Sequence, residues 1–287
     1  MIYRLLAINI DGTLLRSNGR LLRVSKEAIE FVKNKDVYVT LVTSRNFSSA
    51  KKVAKALKLD SLLITHSGAI VGSSLDNLVF ARHIEEEQTF NVVQVLESFN
   101  CHIRLLNERY SIGNQIKRKN NLIAKTVLGT GDPLFYPIQF VDSLSDNLRD
   151  HPVSTPKIDV HFTEPEEMKE VAHLLTERFP EFSTNVVNAN KLEITTLNVS
   201  KLNGLQVLGE QLGISLDEMV VIGDGIDDIP MISNVGLGVA MGNASTEVKM
   251  VADWVTRSND QNGLAYMVKE HFRKQMNVKQ VKENMRS

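Results

Sequence analysis

Residues 3–15 read YRLLAINIDGTLL, and this stretch decides the fold. Its first part, residues 3–10, is a short apolar run, which is typical of a buried strand in a parallel sheet. The following Asp11-Gly12-Thr13 ends the run abruptly and predicts a turn, because Asp and Gly favour turn conformations. The strand therefore presents polar side chains, including Asn9, at its carboxyl end.

The same pattern of an apolar strand ending in polar residues recurs along the chain and alternates with helical periodicity. A helix is predicted after each of the first two strands and over residues 202–212. This alternation predicts a doubly wound α/β core with a parallel sheet and right-handed crossovers, made of residues 1–83 and 196–287. The further strands predicted for this core are residues 37–42, 62–65, 219–222, 236–240 and 254–255.

The regular alternation of strands and helices stops between residues 84 and 195, where we predict an inserted α+β cap domain that closes over the strand ends. The segment 107–134 is polar, and we interpret its Lys117-Arg118-Lys119 as a solvated loop, with contact to a substrate as the alternative. The elements predicted for the cap are helices near 88–99 and 165–178 and strands near 101–106, 135–140, 157–162, 184–189 and 191–196.

Composition excludes several classes of function. The chain has 287 residues, with 33 Lys and Arg against 34 Asp and Glu, which excludes a large basic footprint for nucleic acid or for a membrane surface. The single cysteine, Cys101, excludes a disulfide framework and a cysteine-rich zinc site. We expect a reduced, cytoplasmic protein, with residues 269–287 forming a basic, solvated tail, for which an interaction arm is the alternative.

Polar residues with complementary chemistry collect at the predicted strand ends, where ligands bind in open parallel sheets. Carboxylates suit Mg²⁺, whereas hydroxyls, an ammonium group and loop N–H groups suit phosphate oxygens, so the set points to phosphoryl chemistry. Taken singly, each has a structural explanation as a turn, a helix cap, a solvated lysine or a helix-start acid. The set comprises Asn9, Asp11, Thr43, Ser44, Arg45, His66, Ser67, Gly68, Lys201, Asp224, Asp227 and Asp228.

With these residues in place, the chain resembles the haloacid dehalogenase-like (HAD) hydrolases, and more narrowly the Cof-type phosphatases with a large cap between the second and third motifs. The resemblance covers nearly all of the core, but covers the cap only in position and size. The segments that carry it are Leu5–Leu15, Thr43–Arg45, Ile64–Ala69, Val199–Lys201, Val221–Met231, Gly238–Ala244 and Ala252–Thr256.

The resemblance implies catalytic roles. The first motif of the family is Asp-x-Asp, in which the first Asp attacks phosphorus and forms an aspartyl-phosphate. The second Asp, here Asp11, protonates the leaving alkoxide and then activates water. Thr43 would bind the phosphoryl group, and Lys201 would steady both the nucleophile and the phosphate.

The resemblance also implies Mg²⁺ as the cofactor and a small phosphorylated metabolite, of the sugar phosphate class, as the substrate. Asp224 would hold the cation together with residue 9 and the backbone carbonyl of Asp11. Asp228 would support the loop or the water shell of the metal. The residues implied to contact the substrate are Ile10, Gly12, Thr43, Ser44, Lys201 and Asp227.

The chain departs from the family pattern at the nucleophile, where it has Asn9. An amide has no carboxylate with which to form an acyl-phosphate, and it offers Mg²⁺ only a neutral oxygen. The family usually has Asn at the positions of Ser67 and Asp227. Because the charge lost at Asn9 is regained at Asp227, we hypothesise that a Mg²⁺ site survives, which calorimetry without binding at millimolar metal would contradict.

Three explanations of Asn9 are open. The chain is a phosphatase with altered chemistry, in which Asp227, a metal-bound water or a deamidated Asn9 acts. Alternatively, it is an inactive relative that binds a phosphorylated ligand or a partner protein. Finally, Asn9 is an introduced substitution, which the further departures at Ser67 and Asp227 disfavour. A dinucleotide-binding module is disfavoured because Gly223-Asp224-Gly225 lacks the third glycine, and a receiver domain because of the inserted cap.

Overall fold

The computed structural model describes residues 2–115 and 136–280, so Lys117, Arg118 and Lys119 lie outside the described residues. The strands are β1 (Leu5–Asn9), β2 (Tyr38–Val42), β3 (Leu63–Thr65), β4 (Ile70–Ser74), β5 (Asn77–Ala81), β6 (Cys101–Leu106), β7 (Ser111–Asn114), β8 (Ile138–Val141), β9 (Lys157–Phe162), β10 (Phe182–Asn188), β11 (Lys191–Thr196), β12 (Met219–Gly223), β13 (Leu237–Ala240) and β14 (Trp254–Val255). The helices are α1 (Arg23–Lys33), α2 (Phe47–Ala56), α3 (Glu86–Leu96), α4 (Leu144–Asp150), α5 (Pro165–Arg178), α6 (Lys201–Leu212), α7 (Ile229–Ile232), α8 (Thr246–Val251) and α9 (Gly263–Phe272). None of these described helices has the length and apolar composition needed to cross a membrane.

The first sheet confirms the predicted α/β class, with a parallel core. Within the described residues its strand order is β14-β13-β12-β1-β2-β3-β4-β5, and the pairs from β14 to β3 are parallel. The hairpin β4–β5 at the edge is antiparallel, which the sequence did not predict. Strand β4 also runs antiparallel to β3, because His66, Ser67 and Gly68 between them have φ values of 51°, 59° and 102°, and these three successive left-handed residues turn the chain back along β3.

The central strand β1 is apolar throughout because both of its faces are covered. Leu6 and Ile8 pack in a hydrophobic cluster on one face of the sheet, whereas Leu5 and Ala7 pack in a cluster on the opposite face. Phe272 and Val278 pack in the same cluster as Ile8. The prediction of a solvated tail is therefore wrong for these two residues. It rested on the number of charged residues in the segment and did not take into account two apolar side chains that reach the core.

The second sheet is formed from residues that lie between β5 and α6 in the sequence. In the part that the structure describes, its order is β10-β11-β9-β6-β7-β8, and α3, α4 and α5 pack on one face with a hydrophobic cluster of their own. The division into domains at residues 84 and 196 stays a prediction, although both sheets follow the expected segments.

Polar contacts join the second sheet to the carboxyl end of the first. The Lys157 Nζ on β9 donates to the backbone carbonyl of Ser44 at 2.9 Å. The Ser67 hydroxyl donates to the Oε2 of Glu193, on β11, at 2.6 Å. A cavity of about 240 Å³ lies between the two sheets and contains the strand ends of the first.

We predict that Lys157→Met lowers the free energy of unfolding by about 3–5 kcal/mol, measured by urea denaturation. Lys157 is 1% exposed and lies 3.2 Å from the Asp159 Oδ1 and 3.0 Å from the Glu193 Oε1, so its loss leaves two buried carboxylates short of a partner. Lys169→Met is the control, because Lys169 pairs with Glu166 on the surface and should cost less than about 1 kcal/mol. Equal losses in the two variants would refute the importance of the buried pairs.

Candidate active site

A wide turn at Ile10–Leu14 carries the chain out of β1, and the Leu15 N–H closes it on the Ile10 carbonyl at 3.0 Å. Gly12 has a φ of 69°, and a Cβ at this position would lie 1.9 Å from the Asp224 Oδ2. Only glycine therefore allows the turn to lie directly against the loop that follows β12. This close approach brings the end of β1 and Asp224 into one site.

The side-chain amide of Asn9 bridges three groups of this site. The Nδ2 donates to the Asp11 carbonyl at 2.9 Å and to the Asp224 Oδ1 at 3.1 Å. The Oδ1 accepts from the Lys201 Nζ at 3.5 Å. The opposite orientation would place the amide oxygen against two acceptors and the NH₂ against an ammonium group, so hydrogen bonding selects the orientation observed.

Lys201 is the first residue of α6 and is 3% exposed. Its Nζ lies 2.5 Å from the Asp228 Oδ1 and 2.8 Å from the Asp227 Oδ2. Burial alone would lower the pKa of Lys201, but the two carboxylates raise it well above its usual value. The site therefore contains a permanent buried cation.

The two carboxylates that contact Lys201 differ in their other partners. Asp228 is fully buried, and its Oδ2 accepts the backbone N–H groups of Asp224 and Gly225, both at 2.9 Å. Asp227 accepts the Ser44 hydroxyl at 3.0 Å, and Lys201 and Ser44 lower its pKa against the opposing effect of burial. Asp228 thus holds the loop in shape, whereas Asp227 faces the cavity.

Asp224, in the loop after β12, has a raised pKa. Burial raises its pKa to about 6, against the lowering effects of hydrogen bonds from Thr13 and Asn9. The Thr13 hydroxyl donates to the Asp224 Oδ1 at 2.7 Å, the same oxygen that accepts from Asn9. No cationic side chain forms an ion pair with Asp224 among the described residues.

The residues that follow β2 form another wall of the cavity. Thr43 is buried, and its hydroxyl oxygen accepts the Arg45 N–H at 3.2 Å. The Arg45 guanidinium makes a bidentate pair with Asp11, with Nε–Oδ2 and Nη2–Oδ1 distances of 2.7 and 2.6 Å. The carboxylate that the resemblance assigns to acid–base chemistry is therefore held by a fixed cation.

A network of buried charges on the second sheet forms the roof of the cavity. Lys191 lies 2.9 Å from the Asp159 Oδ2 and 2.7 Å from the Glu193 Oε1, and Lys157 bridges the same two carboxylates. Burial would raise the pKa values of Asp159 and Glu193, but Lys157 and Lys191 lower both. The roof consequently carries two positive and two negative charges in contact.

The structure brings most of the predicted site residues to one cavity. Those that line it are Asn9, Asp11, Thr43, Ser44, Arg45, Lys201, Asp224 and Asp227. Ile10 and Asp228 are fully buried behind this surface, and Gly12 contributes its close approach to Asp224.

The sequence reasoning missed the charged roof of the cavity. A signal was present, since Lys157 and Asp159, like Lys191 and Glu193, are two residues apart on predicted strands and therefore share a face. The pairing of β9 with β11, which places Asp159 opposite Glu193, was not predictable from either strand alone.

The oxygen atoms at the expected metal position do not fit a divalent cation as they are arranged. Mg²⁺ requires lone pairs directed at one point, at about 2.0–2.1 Å. Here the Asp11 carbonyl and the Asp224 carboxylate both accept N–H bonds from Asn9, and the amide oxygen of Asn9 faces Lys201. Over residues 2–115 and 136–280, no group of three or more His, Cys, Asp or Glu side chains is arranged to hold a metal ion.

Residues 6–268 match the sequence profile of the haloacid dehalogenase-like hydrolases, and the chain belongs to this family. Phosphatases of the family generally use Mg²⁺.

Three similar proteins illustrate the range of the family. The chain is 54% identical to the stress response protein YhaX of Bacillus subtilis over 272 residues, which cover 95% of this chain and 94% of the relative. It is 29% identical to the 5-amino-6-(5-phospho-D-ribitylamino)uracil phosphatase YcsE of the same organism, covering 93% and 94% of the two chains. It shares its fold with a HAD subclass IIB sugar phosphatase, with a TM-score of 0.79, 23% identity and 94% and 98% coverage.

His66, at the end of β3, provides a test of the buried environment beside the site. It is fully buried, and burial together with the nearby Lys157 lowers its pKa to about 4. Because the unfolded chain takes up this proton near pH 6.5, acidification from pH 7 to 4 favours unfolding by about 3 kcal/mol through His66 alone. We predict that His66→Asn, which tolerates the positive φ, loses about 3 kcal/mol less stability over this range.

The measurement is urea denaturation of both proteins across this pH range. Any constant cost of the substitution cancels, because only the difference in pH dependence is compared. Parallel stability curves for the wild type and His66→Asn would contradict a buried, neutral His66.

Proposed function

We propose that this chain is a phosphatase-type protein that takes a small phosphorylated metabolite into the cavity, and that Asn9 impairs its hydrolysis. The observation that carries the proposal is that Asn9 lies beside the other residues to which the family resemblance gives catalytic roles. Thr43, Lys201 and Asp11 all lie at the same cavity as Asn9. The residues expected to bind a phosphate are therefore present together at a site whose attacking group is altered.

The chemistry of the amide explains the impairment. A carboxylate oxygen at residue 9 could attack phosphorus and form an acyl-phosphate, whereas an amide is a poor nucleophile. In addition, the NH₂ of Asn9 is engaged by Asp11 and Asp224, and its oxygen faces Lys201. The Thr43 hydroxyl accepts the Arg45 N–H and keeps its own proton, which it can donate to a phosphate oxygen.

The cavity supports a ligand of the sugar phosphate class. Its volume of about 240 Å³ suits a small molecule. The basic residues that line it, Arg45, Lys191 and Lys201, are each already in an ion pair, which disfavours a second phosphate group on the ligand. The paired charges of the roof offer both donors and acceptors, and hydroxyl groups can use both kinds.

A second candidate function is binding of a phosphorylated ligand or a partner protein without turnover. The observation that favours it is the position of Asp227, which contacts both Lys201 and Ser44. Because an entering phosphate must compete with this carboxylate for the same donors, phosphate binding is weakened, and within this candidate a partner protein is favoured over a phosphorylated ligand.

We predict that Asn9→Asp raises kcat/KM for an aryl phosphate by at least about a hundredfold, because it restores the covalent nucleophile. The measurement compares the two proteins with Mg²⁺ present, and intact mass excludes deamidation of Asn9. The control is Asn46→Asp, which adds the same charge at the same cavity and preserves the helix cap on Ser49. It should produce no gain.

Equal and robust activity in undeamidated wild type and Asn9→Asp would refute the claim that Asn9 impairs hydrolysis. Absence of activity in both would favour the second candidate, binding without turnover.

A further inference from the structure

Two oxygen acceptors converge on one point beside the end of β1. The Asp11 carbonyl and the Asp224 Oδ1 lie 2.9 and 3.1 Å from the Asn9 Nδ2. Asp224 is partly buried, so its carboxylate requires compensation from a cation or from hydrogen-bond donors. In this chain one N–H of the Asn9 amide and the Thr13 hydroxyl donate to that carboxylate, and the other N–H of the amide donates to the Asp11 carbonyl.

We infer that the Asn9 amide takes the place of the divalent cation, that Asp227 replaces residue 9 as a carboxylate partner of Lys201, and that this chain therefore assembles its site without metal. The inference rests on the proposed function, because that proposal identifies the site as one of phosphatase type. It adds that the exchange of charge between residues 9 and 227 changes the cofactor requirement.

The number of oxygen atoms at residue 9 is the physical reason. An aspartate has two carboxylate oxygens, of which one can face Lys201 while the other faces a metal. Asn9 has a single oxygen, and Lys201 already faces it at 3.5 Å. Turning that oxygen to a cation would place the NH₂ against the Lys201 ammonium and remove both hydrogen bonds of the amide, so metal binding disrupts the site.

The charge balance of Lys201 explains Asp227. With a neutral residue 9, Lys201 would be left with the single carboxylate of Asp228, at 2.5 Å. Asp227 supplies the second, at 2.8 Å. The negative charge of Asp227 therefore pairs with the buried Lys201. This pairing does not support the hypothesis that the charge of Asp227 preserves a Mg²⁺ site. The two departures from the family pattern form one compensating pair.

The test measures thermal unfolding of the full chain in EDTA and in Mg²⁺, with Mg²⁺ binding followed by calorimetry. The proteins are the wild type, Asn9→Asp, Asp227→Asn and the double variant. We expect no Mg²⁺-dependent change in Tm for the wild type or Asp227→Asn. Asn9→Asp and the double variant should gain about 5–10 °C at metal concentrations a hundredfold above the dissociation constant.

The EDTA measurements test the compensating pair separately. Asn9→Asp should have a lower Tm than the wild type, because the new carboxylate faces Asp224 and the Asp11 carbonyl without an N–H donor. Asp227→Asn should also have a lower Tm, because Lys201 loses a partner. The double variant should lose less than the sum of the two single variants, since it returns one carboxylate to Lys201.

Asn46→Asp is the matched control for added charge, and it should show no Mg²⁺-dependent gain in Tm. A Mg²⁺-dependent rise in the wild type equal to that of Asn9→Asp would overturn the inference, as would the absence of a rise in Asn9→Asp. Strictly additive losses in EDTA would overturn the compensating pair. These outcomes can be distinguished from a failure of the proposed function. If the wild type binds Mg²⁺ and Asn9→Asp still increases hydrolysis, this inference is refuted and the proposed function is not.

Discussion

The side-chain amide of Asn9 holds together three parts of the chain that are far apart in sequence. It donates to the Asp11 carbonyl in the turn after β1 and to Asp224 in the loop after β12, and it accepts from Lys201 at the start of α6. A neutral group thereby fills the position between two oxygen acceptors and a cation. The amide nitrogen and oxygen of Asn9 both have hydrogen-bond partners in this arrangement. Phosphoryl transfer needs a carboxylate nucleophile at this position, and the amide does not supply one.

The charges around this amide are arranged so that most have a counterpart in contact. Lys201 is matched by Asp227 and Asp228, Arg45 by Asp11, and the two lysines of the roof by Asp159 and Glu193. Asp224 differs, since no cationic side chain contacts it among the described residues, and burial raises its pKa although hydrogen bonds from Thr13 and Asn9 and the charge of Lys201 lower it. Substitution of Asn9 thus alters the environment of the one site carboxylate without a cationic partner in the described part of the chain.

The sequence was informative where local pattern determines structure. The apolar runs and the polar residues that end them placed the strands of the first sheet within one or two residues, because strands buried on both faces have little freedom of composition. The reversal of the chain from β3 into the antiparallel β4 was missed because two of the three left-handed residues that make it, His66 and Ser67, are not glycines.

The details of the site depended on distant contacts. Asn9 was recognisable as a departure from the family, but the direction of its amide is set by Lys201, which is 192 positions away in sequence. For the same reason Asp227 was expected to contact the substrate and its charge to preserve a Mg²⁺ site, whereas the side chain contacts Lys201 and Ser44.

The most direct measurement is the nuclear magnetic resonance spectrum of protein labelled with ¹⁵N-asparagine, in which the Asn9 NH₂ signals are assigned by their loss in Asn9→Asp. If the amide binds Asp11 and Asp224 in place of a cation, its two protons should exchange slowly with water and keep their positions when millimolar Mg²⁺ is added. Movement or loss of these signals on addition of Mg²⁺ would show that the amide turns to a metal, and would contradict the role assigned to Asn9.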